Sequence, residues 1–204
     1  AALHVAVAAL RLPPGSEVIT SPITDMGSVI GILYQQLVTV LADIHPHTYN
    51  LSPDAVRRAI TPRTRAIMPV HLAGNPVNLD AIMSIAREHN LFVIEDCAQA
   101  WGAAYRGQPV GLFGHLACFS LNEFKHVSCG DGGIVGTNDE RLGPTLAKWG
   151  DKFYDRVTGN RNPESLAPNY RMSEPQAAVA AAQLVKLPEI TASHVRLGTR
   201  LLGR

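Results

Sequence analysis

The chain has 204 residues, 46% hydrophobic and 17% charged, and 18 Lys+Arg against 17 Asp+Glu leave a formal net charge of +1. This is the make-up of a globular domain; it excludes collagen, coiled coil and a disulfide scaffold, and supplies no field that would draw the chain to nucleic acid. No apolar run reaches the length of a membrane span, and no basic stretch precedes the apolar first ten residues as a signal peptide requires. Cys97, Cys118 and Cys129 are an odd set without zinc spacing, which reads as reduced thiols in a cytoplasmic protein.

Residues 1–10 read as a buried helix, stopped by Pro13-Pro14-Gly15. Residues 17–20 are a short strand, 27–36 a helix, and 37–41 a buried strand. Ser52-Pro53-Asp54 opens a helix with Ser as N-cap and Pro in the first turn, and Thr61-Pro62 ends it. A strand is expected over 66–70. Leu79, Ile82, Met83 and Ala86 follow the spacing of an amphipathic helix entered from Asn78, and an apolar strand over 91–94 ends in Glu95-Asp96. This alternation predicts an α/β fold with a mostly parallel sheet. Beyond it come short strands over 116–121 and 133–137, a helix over 139–149, and a polar loop over 151–168. Ser173-Glu174-Pro175-Gln176 is a capping box that opens a helix through Leu187. The chain begins inside one apolar helical pattern and stops inside another, so it reads as part of a longer protein.

Two segments carry chemistry. In α/β sheets ligands bind beyond the carboxyl ends of strands, so LFVIEDCAQA (91–100) places a carboxylate where a metal, a ribose hydroxyl or a protonated ring nitrogen could meet it. A strand-end acid that caps the next helix is the alternative. In CFSLNEFKHVSCGDGG (118–133), Lys125 is one of only four lysines. It lies between an apolar strand and a glycine cluster, a setting in which a lysine can form a Schiff base with an aldehyde; an ordinary surface lysine next to a turn is the alternative. Ser120, five residues earlier, could bind phosphate. Together Asp96, Lys125 and Ser120 are the set that pyridoxal phosphate (PLP) requires. The cysteines, His115 and His126 lack metal spacing, so no metal is assigned. His71 is a pocket residue or a core histidine, His126 local packing, and Trp101 and Trp149 core or interface residues. Arg196, Arg200 and Arg204 form a solvated helix face. A nucleotide-binding module would need a glycine-rich turn after the first strand, which is missing.

The sequence resembles the DegT/DnrJ/StrS family of PLP-dependent sugar aminotransferases. The resemblance runs through PPGSEVITSPIT, DIHPHTYNLSPDAVRRAITPRTRAIMPVHLAG, VIEDCAQAWGAAYRGQPVG, CFSLNEFKHVSCGDGG and NYRMSEPQAA. It implies the large domain of a type I aminotransferase over residues 1–187, with 188–204 starting a helix toward a C-terminal small domain. It further implies that Lys125 holds PLP and moves the proton in catalysis, that Asp96 keeps the ring nitrogen protonated, that Gln99 meets the ring 3-hydroxyl, and that Ser120 binds the phosphate. Asn169 or Arg171, more readily Asn169, would reach a neighbouring subunit's phosphate in a homodimer with shared active sites. The implied reaction moves an amino group from glutamate or glutamine to a keto sugar, often nucleotide-linked, or to a keto-cyclitol. The chain departs from the family at Asp25, where an aromatic residue commonly stacks on the ring, and at Leu121-Asn122-Glu123-Phe124. It also lacks the Gly-Thr pair that precedes the first helix. These departures leave an inactive fragment or pseudoenzyme of the same fold as the alternative.

Overall fold

The computed structural model describes residues 1–203, so the Arg204 end of the expected arginine stripe lies outside the described residues. The strands are β1 (Glu17–Thr20), β2 (Val38–Leu41), β3 (Thr64–Met68), β4 (Phe92–Asp96), β5 (Ala104–Tyr105), β6 (Gln108–Pro109), β7 (Leu116–Ser120) and β8 (Gly133–Gly136). Six of them form one sheet in the order β2-β1-β3-β4-β7-β8, and β5 and β6 form a separate hairpin. Every pairing from β2 to β7 is parallel, and only β8 runs antiparallel, against β7. The fold is therefore the α/β type that the β-α alternation predicts.

The helices are α1 (Ala2–Ala9), α2 (Gly27–Tyr34), α3 (Pro53–Ala59), α4 (Leu79–Glu88), α5 (Gly143–Gly150), α6 (Glu174–Leu184) and α7 (Leu187–Leu201). Side chains alternate between the faces of a strand, and the core divides accordingly. Ile19, Ile67 and Val93 pack with Val56 of α3 and Ile82 of α4. Val18, Ala66, Met68 and Ile94 pack with Val7 of α1 and Ile32 of α2 on the opposite face. α1 is apolar nearly all round and buries Val5 through Ala9, as a helix covered by both sheet and neighbours must. Its outer side takes Trp149 and Phe153.

Several expectations need correction. The strand expected to be buried over 37–41 is the sheet's edge strand, with Val38 and Leu41 exposed, because only β1 pairs with it. β3 starts two residues earlier than its apolar run, at Thr64, and β4 continues through both carboxylates. The helix expected from 139 begins at Gly143, since the Asp139 side chain caps the Arg141 N–H at 2.8 Å in a turn. The helix expected to run through Leu187 is two helices. Pro188 lies in the first turn of α7, where its missing N–H is tolerated, and a break at Val185–Lys186 separates it from α6. The caps at Ser52, Asn78 and Ser173 stand as expected.

One clamp fixes the loop between β6 and β7. Glu95, fully buried, accepts N–H groups from Gly111 (2.7 Å), Phe113 (2.8 Å) and Gly114 (2.6 Å), and bonds His71 Nε2 at 3.1 Å. Gly111 has φ +88°, and a Cβ there would lie 2.8 Å from the Phe119 ring, so only glycine serves. Burial raises the Glu95 carboxyl, but the His71 bond and the Gly114 and Gly111 N–H groups outweigh it and hold it below the usual 4.5. A depressed carboxyl contributes stability that is complete above the unfolded value and is lost as pH falls through the folded one. Glu95→Ala is expected to lower unfolding stability by about 3 kcal/mol or more at neutral pH. The gap between variant and wild type in urea denaturation should narrow as pH drops below 4.5.

Candidate active site

Because successive residues of β4 face opposite sides of the sheet, Glu95 and Asp96 separate. Asp96 continues the face of Ile94, toward α1 and α2. Its Oδ2 accepts the Ser28 hydroxyl of α2 at 2.7 Å and its Oδ1 accepts the Ala98 N–H at 3.1 Å. The residue is 3% exposed. Burial pushes its carboxyl up, and the Ser28 and Ala98 bonds with the positive charge of Lys125 pull the other way without cancelling it.

Asp96 lines a cavity of about 350 Å³ together with Gln99, Ser120 and Lys125. Four of the five residues singled out from sequence thus share one chamber at the carboxyl ends of the strands. The first turn of α1 and residues Gly27–Ser28 of α2 complete its walls. A larger hollow of about 540 Å³ adjoins, bounded by Val5, Leu146 and Tyr170, but Asp96, Ser120 and Lys125 are not on its wall.

Lys125 sits on the loop that joins β7 to β8. Leu121, Val127 and Cys129 are buried and anchor the loop at both ends. The Cys129 N–H bonds the Leu121 carbonyl at 3.1 Å, closing the loop. Within it the Ser120 hydroxyl accepts the Asn122 N–H at 3.2 Å, Asn122 Oδ1 accepts the Phe124 N–H at 3.2 Å, and the Lys125 N–H bonds the Asn122 carbonyl at 3.0 Å. Lys125 is therefore half-buried on a turn held by its own backbone, while Phe124 beside it is 86% exposed. Trp101 Nε1 donates to the Ser120 carbonyl at 2.8 Å and steadies the end of β7. Gln99 Oε1 accepts the Ala73 N–H at 2.7 Å, which leaves the Gln99 amide NH₂ as a free donor group.

Asn169 is not on this wall. It is exposed, and its Oδ1 takes the N–H and Nε of Arg171. Both residues are tied to Asp151: Asn169 through a backbone bridge, Arg171 through an ion pair at 3.2 Å. Asp25 does line the cavity, with Oδ1 on the Gly27 N–H at 2.7 Å, and Met26 beside it is 59% exposed. His71 is a core histidine: Nδ1 accepts the Val77 N–H, so the proton sits on Nε2, which donates to Glu95. His71, Glu95 and Cys97 lie within 4.8 Å of one another, but both His71 nitrogens are engaged and burial drives the Cys97 thiol upward, away from the thiolate a metal needs. Cys97, Cys118 and Cys129 are all free and buried. His126 stacks edge-on with His194 of α7, ring centroids 4.9 Å apart. Trp149 is core, and Arg196 and Arg200 are exposed. The sequence reading missed Ser28 and Thr24, whose hydroxyls lie 2.6 Å apart. Their i, i+4 spacing at the entry to α2 was the available signal.

The sequence model of the DegT/DnrJ/EryC1/StrS aminotransferase family matches residues 1–201. The chain is 40% identical over 196 residues to GDP-perosamine synthase of Caulobacter vibrioides, covering 96% of this chain and 53% of that protein. It is 42% identical over 206 residues to a Streptoalloteichus tenebrarius protein provisionally named L-glutamine:3-amino-2,3-dideoxy-scyllo-inosose aminotransferase, covering 97% and 49%. The crystal structure of S. venezuelae DesV in complex with a ketimine intermediate superposes with a TM-score of 0.86 at 37% identity, over 92% of this chain and 50% of that one. The chain spans about half the length of the curated relatives it matches.

Asp151 also organises the 151–171 stretch, pairing Lys152, Arg156 and Arg171. The Arg156 and Lys152 bonds push its carboxyl down to about 2, so the hub holds from neutral pH until pH falls from 3.8 toward about 2. Asp151→Asn is expected to speed hydrogen exchange across residues 151–171 severalfold and leave β1, β3 and β4 unchanged.

Proposed function

The chain belongs to the DegT/DnrJ/EryC1/StrS aminotransferase family, and on that footing we propose that the protein carrying it is a PLP-dependent aminotransferase. Its substrates are an amino-acid donor, glutamate or glutamine, and a keto sugar, often nucleotide-linked, or a keto-cyclitol. The single observation that carries this reading is the cavity that gathers Asp96, Gln99, Ser120 and Lys125.

The donor set fits the cofactor. Each Asp96 oxygen accepts one bond from the protein, which leaves lone pairs on a buried carboxylate for a ring N–H. The Ser120 hydroxyl, on the cavity wall, would hold the phosphate. The free NH₂ of Gln99 suits the ring's 3-oxygen. Lys125 supplies the primary amine that would take the cofactor's aldehyde. When bound, PLP supplies an electron sink that stabilises a carbanion next to nitrogen.

The chain's own residues do the rest. Asp96 keeps a proton on the ring nitrogen by charge attraction in a site where little water screens it. Once the donor's amine had displaced it from the cofactor's aldehyde carbon, the free Lys125 Nζ would take the proton from the donor's α-carbon and give it back on the cofactor side, and would act in the opposite sense on the keto substrate. The self-bonded turn that carries Lys125 limits the positions Nζ samples.

Residues 1–187 would form the cofactor-binding domain, with 188–204 as the start of a segment toward a second domain. A homodimer is supported by Met26, Ile30, Leu33 and Tyr34, exposed at helical spacing on one side of α2. Asn169 would then meet the partner's phosphate, in keeping with its exposure and its place outside this chain's cavity. Among the described residues no helix is long and apolar enough to cross a membrane, and three free buried cysteines suit a cytoplasmic protein. The inert-fold alternative has no observation in its favour.

Borohydride reduction of the intact protein with PLP, followed by peptide mapping, tests the assignment. A pyridoxyl group on Lys125, abolished in Lys125→Ala, is the expected result; a label elsewhere or none would sink it. Asp96→Asn should retain the Lys125 label and lose on the order of 10²-fold or more in transamination rate.

A further inference from the structure

The cavity wall holds a short hydroxyl chain that the assignment above leaves without a task. Ser28 is 2% exposed, and its hydroxyl lies 2.7 Å from Asp96 Oδ2. Ser28 is the donor in this contact, so its proton points to Asp96. A serine hydroxyl has one proton, so in the 2.6 Å contact between Thr24 Oγ1 and Ser28 Oγ the donor is Thr24. Both hydroxyls are thereby polarised in one direction, toward the carboxylate. Thr24 lies just before α2 and Ser28 in its first turn, where the helix's positive end adds to the same field.

We infer that Ser28, backed by Thr24, is a positioning residue that keeps the Asp96 carboxylate ionised and oriented for the ring nitrogen it would serve. The inference rests on the proposed cofactor role of Asp96. The physical need for it is plain: a carboxyl buried to this degree tends to protonate, and a neutral acid could not hold a proton on a ring nitrogen. Of the two hydrogen bonds on Asp96, one comes from the backbone of Ala98 and cannot be altered by a side-chain change. Ser28 is the adjustable one. The other titratable groups around Asp96 are Lys125 on the β7–β8 loop, His71 after β3, Glu95 and Cys97 on either side in sequence and Cys118, its register partner on β7, and the same cavity is lined by Asp25 before α2 and Asp131 before β8.

The test uses the intact protein, first without cofactor. Carboxyl carbons of ¹³C-labelled aspartate are titrated by NMR, with the Asp96 signal assigned through its loss in Asp96→Asn. Ser28→Ala is expected to move the Asp96 midpoint up by about one pH unit or more, since a hydrogen bond to a charged group is removed. Thr24→Val should move it less, and Ser28→Thr, which keeps the hydroxyl, should stay near wild type. With PLP added, Ser28→Ala should bind about tenfold more weakly at neutral pH and carry a shifted pH profile of its visible band, while Ser28→Thr rescues both. An unchanged Asp96 midpoint in a Ser28→Ala protein that melts cooperatively would overturn the inference. So would a Ser28→Thr variant that behaves like Ser28→Ala while retaining wild-type thermal stability. A wild-type protein that takes up no PLP would overturn the functional reading alone, because the carboxyl titration still decides what Ser28 does to Asp96.

Discussion

Two adjacent carboxylates at the end of one strand must point to opposite sides of the sheet, and this single constraint of β geometry organises the molecule. Glu95 goes to the α3–α4 side, where it gathers three backbone N–H groups and His71 and fixes the loop that delivers β7. Asp96 goes to the α1–α2 side, where a cavity opens. β7 pairs directly with β4 and puts Cys118 opposite Asp96, so Ser120 and Lys125, further along, arrive at the same chamber. If β4 slipped by one residue, the carboxylates would exchange faces; the clamp would lose its acid and the cavity would gain the wrong one.

The cavity balances two opposed demands. Burial strengthens every charge–charge interaction inside it and at the same time favours a neutral Asp96. The structure offsets part of the burial effect with a hydroxyl from α2, a backbone N–H from Ala98 and the positive charge of Lys125. Each comes from a different part of the chain, and the sheet brings them together. The three buried cysteines contribute packing, Cys129 Sγ also donates to the Asp131 carbonyl at 3.3 Å, and burial keeps the Cys97 and Cys118 thiols protonated.

The parts that could be read from sequence are those with a local physical cause. Alternating β-prone and amphipathic segments identified the sheet and its helices, and Ser52, Asn78 and Ser173 marked helix starts because capping involves residues three apart. Asp96, Ser120 and Lys125 stood out because a strand end, a rare lysine and a glycine cluster are visible in one dimension. What escaped depended on the assembled sheet. The residues of β2 are apolar enough for a core strand, and only the strand order makes it an edge. Glu95 and Asp96 are chemically alike until strand pairing assigns them faces. Ser28 lies 68 residues from the carboxylate it bonds, a distance no spacing argument spans.

The central claim is that Asp96 is an ionised carboxylate serving a protonated ring nitrogen in this cavity. The most direct measurement is the ¹⁵N NMR shift of ring-labelled PLP bound to the intact protein and to its Asp96→Asn variant. The account predicts a protonated ring nitrogen in wild type across the neutral range and an unprotonated one in the variant. An unprotonated nitrogen in wild type, or the same shift in both proteins, would contradict it.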